Sequence, residues 1–120
     1  MKKIAKPIPN NTAKASVDIL KFTGYIFSDK YDDGKQELLK NWGYTIEDSE
    51  YLKQLYSSQA VRKYCNGEYL FKGTGKYYTC MEILVELPIK NEQTIKIKTG
   101  WVLLPEGELK LSTPFTGFAI

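Results

Sequence analysis

Lysines recur at alternate positions in two strand-like segments near the end of the chain. Lys96 and Lys98 share one face of the first segment, and Lys110 and Ser112 share one face of the second. An antiparallel hairpin places such faces side by side, where ammonium and hydroxyl groups hold a phosphate backbone or stabilise a phosphorane. The same alternation is ordinary for the solvated face of a half-covered sheet. The residue types alone leave both interpretations open.

The chain contains no histidine among its 120 residues. Because histidine is the commonest general base near neutral pH, the Ser-His-Asp and Cys-His nucleophile schemes are excluded. Cys65 and Cys80 are the only cysteines, so we expect no zinc site, no other metal and no cofactor. Any catalysis must use lysine, arginine, tyrosine, hydroxyl or carboxylate groups.

Two further features carry chemistry of their own. Lys35 stands at the start of a predicted helix, after an acidic loop. A cation there opposes the helix dipole, so Lys35 is either functional or paired with a neighbouring aspartate. An aromatic set either stacks the bases of single-stranded RNA or fills the core, and the core is favoured for Trp101. The set consists of Tyr25, Tyr77, Tyr78 and Trp101.

The composition and length limit the class of protein to which this chain can belong. A hydrophobic content of 42% and a net charge of +3 describe a globular, mildly basic chain. Clustering, not net charge, must therefore support any interpretation as a nucleic-acid binder. Prolines and asparagines predict an extended arm over residues 1–11, and the length predicts a single domain over residues 12–120. No stretch reaches membrane-spanning length, so no membrane association is expected.

Periodicity places helices early in the chain and strands late. Helical spacing predicts a turn over 21–25, a helix over 35–42 ended by Gly43, and a second helix to about residue 64. Thr45 and Asp48 form a capping-box pattern at the start of the second helix. A short alternation at 15–19 is typical of a strand, and longer ones follow over 77–87, 94–104 and 109–115. We predict an α+β fold in which N-terminal helices pack on a small C-terminal antiparallel sheet.

Four segments, taken in order, resemble a known family. They read K-F-T-G-Y at 21–25, G-K at 34–35 with W-G-Y-T at 42–45, I-K-T-G-W at 97–101, and L-K-L-S-T at 109–113. The family closes bacterial polymorphic toxins and some phage head-morphogenesis proteins. Its members tend to read K-L-T-G-Y-L, H-P-x-G with K-A-x-F-F-x-x-L-G-F, R-T-x-W and R-L-x-T. Such domains look like members of the barnase–EndoU–colicin–RelE group of ribonuclease toxins.

The resemblance, together with the strand and aromatic patterns, gives a set of site residues. We predict the catalytic residues to be Lys35, Lys98, Lys110, Thr113 and Tyr25. We predict the RNA-binding residues to be Lys21, Lys96, Thr99, Ser112 and Trp101. The chain departs from the family where Lys30 and Tyr31 replace the histidine, and where lysines at 98 and 110 replace arginines. Lysine lacks the bidentate fork that arginine offers to phosphate.

The expected function is that of a metal-independent ribonuclease toxin domain. A ribose 2′-hydroxyl would attack the adjacent phosphate, with transfer RNA as a candidate substrate. The basic strand face predicts a cognate acidic immunity protein as partner, since an unrestrained nuclease would kill its producer. The resemblance implies action in the bacterial cytoplasm after delivery as the C-terminal part of an exported protein. The alternative is a non-enzymatic binding module, either a phage structural appendage or an immunity-like partner.

Overall fold

A computed structural model describes residues 14–28, 34–75, 78–89 and 92–118 of the chain. The predicted N-terminal arm over residues 1–11 lies outside these ranges. Within them, no helix combines the length and apolar character needed to cross a membrane.

Helical and extended elements share the chain in an order that the sequence predicted only in part. They are β1 (Lys14–Ser16), a π-helical turn (Phe22–Ile26), α1 (Lys35–Asn41), a 3-10 turn (Ile46–Asp48), α2 (Ser49–Cys65), β2 (Leu70–Thr74), β3 (Thr79–Ile89), β4 (Gln93–Leu103) and β5 (Glu108–Phe118). The strands form one sheet in the order β1-β5-β4-β3-β2. β1 runs parallel to β5, and the other neighbours are antiparallel.

The α+β class is therefore confirmed, but the predicted helix-before-sheet order is wrong. β1 precedes both α-helices and enters the sheet beside the last strand, which makes the sheet mixed and not antiparallel throughout. The physical reason is that β5 offers an unpaired edge, and three residues of β1 satisfy part of it. A three-residue strand gives a weak alternation signal, so its partner could not be read from the sequence.

Local sequence signals explain where the helices begin and end. α1 starts after Gly34 and is followed by Gly43, and both glycines adopt positive φ angles, of 94° and 101°. The Thr45 N–H donates to Asp48 Oδ2 at 2.8 Å, so the predicted capping box forms. Together these signals confirm the predicted positions of both helices.

The two faces of the sheet differ sharply in burial. Alternate residues of β3 and β4 are buried against α2, as the period of two predicts. The buried set contains Met81, Ile83, Val85, Leu87, Ile97 and Trp101. The opposite face, called the open face below, carries polar groups that are half-buried or exposed. They include Glu82, Glu86, Lys96, Lys98 and Lys110.

β5 is irregular at the point where it matters for the site. On β4, Val102, Gly100 and Lys98 are evenly spaced, yet their partners on β5 are Lys110, Thr113 and Gly117. The additional β5 residues include Pro114, which has no N–H to give to a strand ladder. Its carbonyl accepts a hydrogen bond of 2.9 Å from the Tyr56 hydroxyl on α2. The extra length of β5 thus brings Thr113 opposite Gly100.

Candidate functional site

A cleft lies beside the outer edge of β5, beyond the point where β1 ends. The pairing of β1 stops at Lys110, and the π-helical turn stands next to the following part of β5. The cleft has a volume of about 390 Å³. We call it the edge cleft, and it is lined by Asp18, Leu20, Lys21, Gly24, Tyr25, Ser112, Thr113 and Pro114. Four predicted site residues, from segments about ninety positions apart in sequence, therefore meet here.

Lys35 joins the edge cleft through Tyr25. The Lys35 ammonium donates a hydrogen bond of 2.9 Å to the Tyr25 hydroxyl. The same ammonium lies 5.0 Å from the centre of the Tyr25 ring and 5.9 Å from that of the Phe115 ring. These contacts give the helix-start cation a structural role, while its predicted pairing with an aspartate of the acidic loop lies outside the described residues. They position the Tyr25 hydroxyl beside the edge cleft.

Asp18 contributes a carboxylate to the edge cleft and was missed by the sequence reasoning. Its Oδ1 atom accepts a hydrogen bond of 3.0 Å from the Leu20 backbone N–H. An aspartate two residues before a helical turn is a recognisable capping signal. That signal identifies the hydrogen bond, but only the fold shows that the side chain also borders a cleft.

Thr113 links the edge cleft to the open face. A Cβ atom placed on Gly100 would stand 3.6 Å from the Thr113 Cβ and 3.7 Å from its Oγ1. Lys98 is two residues from Gly100 on β4, and it faces Gly117 across to β5. Lys98 and Thr113 are thus diagonal neighbours, for which a separation of about 7–8 Å is typical. Because Gly100 and Gly117 carry no side chains, few atoms cover the sheet next to Lys98.

The remaining strand lysines are spread further than the predicted cluster. Lys110 pairs with Val102, four residues along β4 from Lys98. That offset corresponds to about 13 Å at the rise of a β-strand. Lys96 and Lys98 line a different cavity of about 490 Å³ on the open face. We call it the face cleft, and its lining is Lys63, Glu68, Tyr69, Leu70, Glu82, Leu84, Glu86, Lys96 and Lys98.

Two predicted RNA-binding side chains lie in the core. Thr99 is 0% exposed and Trp101 is 1% exposed. The Trp101 indole donates to Thr99 Oγ1 at 2.7 Å, and Thr99 Oγ1 donates to the Ile83 carbonyl at 2.6 Å. The prediction that both side chains bind RNA is wrong, because the β4 alternation places them on the buried face of the sheet. For Trp101 the core placement was the favoured interpretation.

Several tyrosines are unsuited to proton transfer near neutral pH. Burial, helped by the neighbouring Tyr51, raises the pKa of Tyr44 from 10.0 to about 12. Burial, helped by Tyr69 and Cys65, raises the pKa of Tyr64 to about 12. Burial also raises the pKa of Tyr56. In the described ranges, no group of three or more His, Cys, Asp or Glu side chains is arranged to hold a metal ion.

Comparisons with family models, with curated proteins and with solved structures found no match to this chain. The residues and their geometry therefore carry the functional conclusion.

Proposed function

We propose that the chain is a metal-independent ribonuclease domain and that the edge cleft holds the scissile phosphate. The observation that carries this proposal is a convergence. Lys21 and Tyr25 from the first family-like segment meet Ser112 and Thr113 from the last, and Lys35 from the second contacts Tyr25. An ammonium, three hydroxyls and a carboxylate around one cleft are the groups that a phosphodiester cleavage requires.

Each group has a role in the proposed reaction. The Asp18 carboxylate accepts the proton of the ribose 2′-hydroxyl, and the 2′-oxygen forms a bond to phosphorus. The bond from phosphorus to the 5′-oxygen breaks, and that oxygen takes the proton of the Tyr25 hydroxyl. The adjacent Lys35 ammonium stabilises the resulting phenolate. The products are a 2′,3′-cyclic phosphate and a 5′-hydroxyl, and a proton passes from Asp18 back to Tyr25 through solvent.

Charge on the phosphorane is met by two other groups of the edge cleft. The Lys21 ammonium and the Thr113 hydroxyl both line the cavity. Donors of this kind, held where negative charge develops, stabilise the transition state more than the ground state. Lys98 and Lys110 lie on either side of the Thr113 position along the strands, where they would hold flanking phosphates.

A non-enzymatic binding module remains the second candidate because of one observation. The open face is not uniformly basic, since Glu86 stands directly opposite Lys96 and Glu82 opposite Gly100. Mixed charge of this kind is common on surfaces that bind another protein. A protein-binding module would need no edge cleft with hydroxyl, carboxylate and ammonium groups side by side.

The deciding experiment is cleavage of total transfer RNA and of a single-stranded oligonucleotide in excess chelator. We expect cleavage to persist and the new 3′ ends to carry a cyclic phosphate, which mass spectrometry identifies. Loss of activity on chelation, with recovery on adding a divalent ion, would contradict the mechanism. No cleavage of either RNA by folded protein would favour the binding module.

A further inference from the structure

Three concavities on this protein adjoin one another. A central groove of about 240 Å³ lies on the open face between the edge cleft and the face cleft. Ser112 lines both the edge cleft and the central groove, and Glu82 lines both the central groove and the face cleft. A path therefore runs across β5, β4 and β3 without leaving the surface of the sheet.

Gly100 forms the low point of this path. It stands between Thr113 on β5 and Glu82 on β3. Its backbone is not among the glycines with positive φ, and an added Cβ would meet only ordinary contacts at 3.6 Å. Neither backbone strain nor tight packing therefore demands glycine here. What the missing side chain provides is an open passage from the edge cleft toward Lys98.

The two sides of the path have opposite charge. Lys98 and Lys96 lie along β4 beyond Gly100, while Glu82 and Glu86 lie on the neighbouring strand β3. Glu86 is also 3.4 Å from the ammonium of Lys63. A polyanion would follow the β4 lysines and avoid the β3 carboxylates. Carboxylates accept hydrogen bonds from the exocyclic amino groups of bases, as they do from cytosine.

An apolar strip formed by Leu84, Leu70 and Tyr69 also lines the face cleft. Leu84 lies opposite Lys98 on β3, and Leu70 is 54% exposed at the start of β2. Tyr69 adds a ring beside them. Apolar and aromatic groups beside a line of cations are typical of surfaces that bind unstacked bases with their backbone alongside.

We infer that a single-stranded RNA segment extends from the edge cleft over Gly100 and along Lys98 and Lys96, with its bases turned toward Leu84 and the β3 carboxylates. This inference rests on the proposed function, since the edge cleft fixes where the scissile phosphate lies. It adds a substrate class: unpaired RNA several nucleotides long, in preference to duplex RNA, whose bases are not available to the apolar strip.

The test uses uncleavable 2′-O-methyl RNA, as a dinucleotide and as an eight-nucleotide single strand, with binding followed by fluorescence anisotropy. The wild-type protein should bind the longer strand at least about tenfold more tightly, a difference of about 1.4 kcal/mol. Gly100→Leu fills the passage, and Lys96→Glu introduces a negative charge on the β4 side of the path. Each should reduce the length advantage to less than about threefold, and Lys40→Glu, on the exposed side of α1, should preserve it.

Salt dependence gives an independent readout. Removing one phosphate contact in Lys96→Ala should lower the slope of log affinity against log salt by about 0.7 for a single strand. Gly100→Ala checks that the glycine position tolerates a side chain if Gly100→Leu unfolds. A length advantage that survives both Gly100→Leu and Lys96→Glu, or equal affinity for duplex RNA, overturns the path. Failure of the wild-type protein to bind or cleave any RNA overturns the proposed function as well.

Discussion

The two outer edges of the sheet differ in what lies against their unpaired strand segments. β2 pairs with β3 only as far as Glu82, and β1 pairs with β5 only as far as Lys110, so each long strand continues beyond its short outer neighbour. On β3 the continuation is covered by side chains, and we call it the sealed edge. On β5 the continuation borders the edge cleft. Both edges face the same problem: an unpaired strand exposes backbone hydrogen-bond donors and acceptors that need partners.

At the sealed edge, side chains make hydrogen bonds to the β3 backbone much as a neighbouring strand would. Gln59 on α2 donates to the Glu86 carbonyl and accepts from the Glu86 N–H, both at 2.7 Å. Lys63 donates to the Leu84 carbonyl, and the Tyr44 hydroxyl donates to the Pro88 carbonyl. Gln59 and Lys63 of α2, with Tyr44 from the segment before it, thus take the place of a missing strand. These hydrogen bonds to the strand backbone account for the burial of Gln59 and Lys63, so buried polarity by itself is no sign of a site.

The edge cleft shows the other outcome. Here Asp18, Lys21, Tyr25 and Thr113 line an open cavity of about 390 Å³ and do not fill it. The comparison teaches that polar groups at a sheet edge indicate function only where they leave room for a ligand. Four experiments test this distinction.

The largest effect is expected for Asp18→Asn. The amide oxygen of asparagine still accepts from the Leu20 N–H, so the turn should keep its cap while the general base is lost. Losses of about 100- to 10,000-fold in kcat are usual for removal of a general base. Single-turnover cleavage measures the rate, and an unchanged thermal midpoint shows that the fold is intact. Wild-type activity in Asp18→Asn would remove Asp18 from the mechanism.

The second effect concerns the sealed edge and should appear in stability alone. Gln59→Leu leaves both the N–H and the carbonyl of Glu86 without their partner, at a cost of about 2–3 kcal/mol. Gln59→Glu is the matched variant: it keeps an acceptor for the Glu86 N–H but sets a buried carboxylate against the Glu86 carbonyl, so it should cost at least as much. Denaturant unfolding gives both values. The edge comparison fails if Gln59→Leu lowers kcat in folded protein without destabilising it.

A double-mutant cycle tests the pair that the edge cleft holds together. Tyr25→Phe removes the proposed general acid and should lower kcat about 100-fold. Lys35→Met should lower kcat about tenfold, because a hydrogen bond to a charged group contributes about 1.5–3 kcal/mol. If Lys35 acts by positioning Tyr25, the double variant should be no slower than Tyr25→Phe alone. Lys35→Arg should recover part of the rate, and Lys40→Met serves as the surface control. Additive losses would show that Lys35 acts independently of Tyr25.

The smallest effect is the pH dependence of the sealed edge. Burial raises the pKa of Tyr44 from 10.0 to about 12, so the unfolded chain loses this proton first as the pH rises. The stability that Tyr44 contributes is therefore complete below pH 10 and falls as the pH rises through about 12. Tyr44→Phe should cost about 1 kcal/mol at neutral pH and should make the alkaline decline shallower. Urea unfolding across this range, with tyrosinate absorbance as a second probe, measures both; an unchanged slope contradicts the assignment.

The sequence by itself determined the elements whose signals are local. The alternation of Met81, Ile83, Val85 and Leu87 predicted the buried face of β3, and Gly43 with the Thr45–Asp48 pattern predicted where the helices end and begin. These signals depend on neighbours a few residues away, so no knowledge of the fold was needed. The β4 alternation likewise placed Thr99 on the side of Ile97 and Trp101, and the separate assignment of Thr99 to RNA binding was wrong because that side is buried.

Only the tertiary structure decided how the site is assembled. The edge cleft joins Asp18, Lys21 and Tyr25 to Thr113, and this depends on the parallel pairing of β1 with β5 and on the extra residues of β5 around Pro114. A one-residue change of register would turn Thr113 away from the cleft. Such long-range pairing is selected by the free energy of packing the whole sheet against its helices, and no short segment of sequence encodes it.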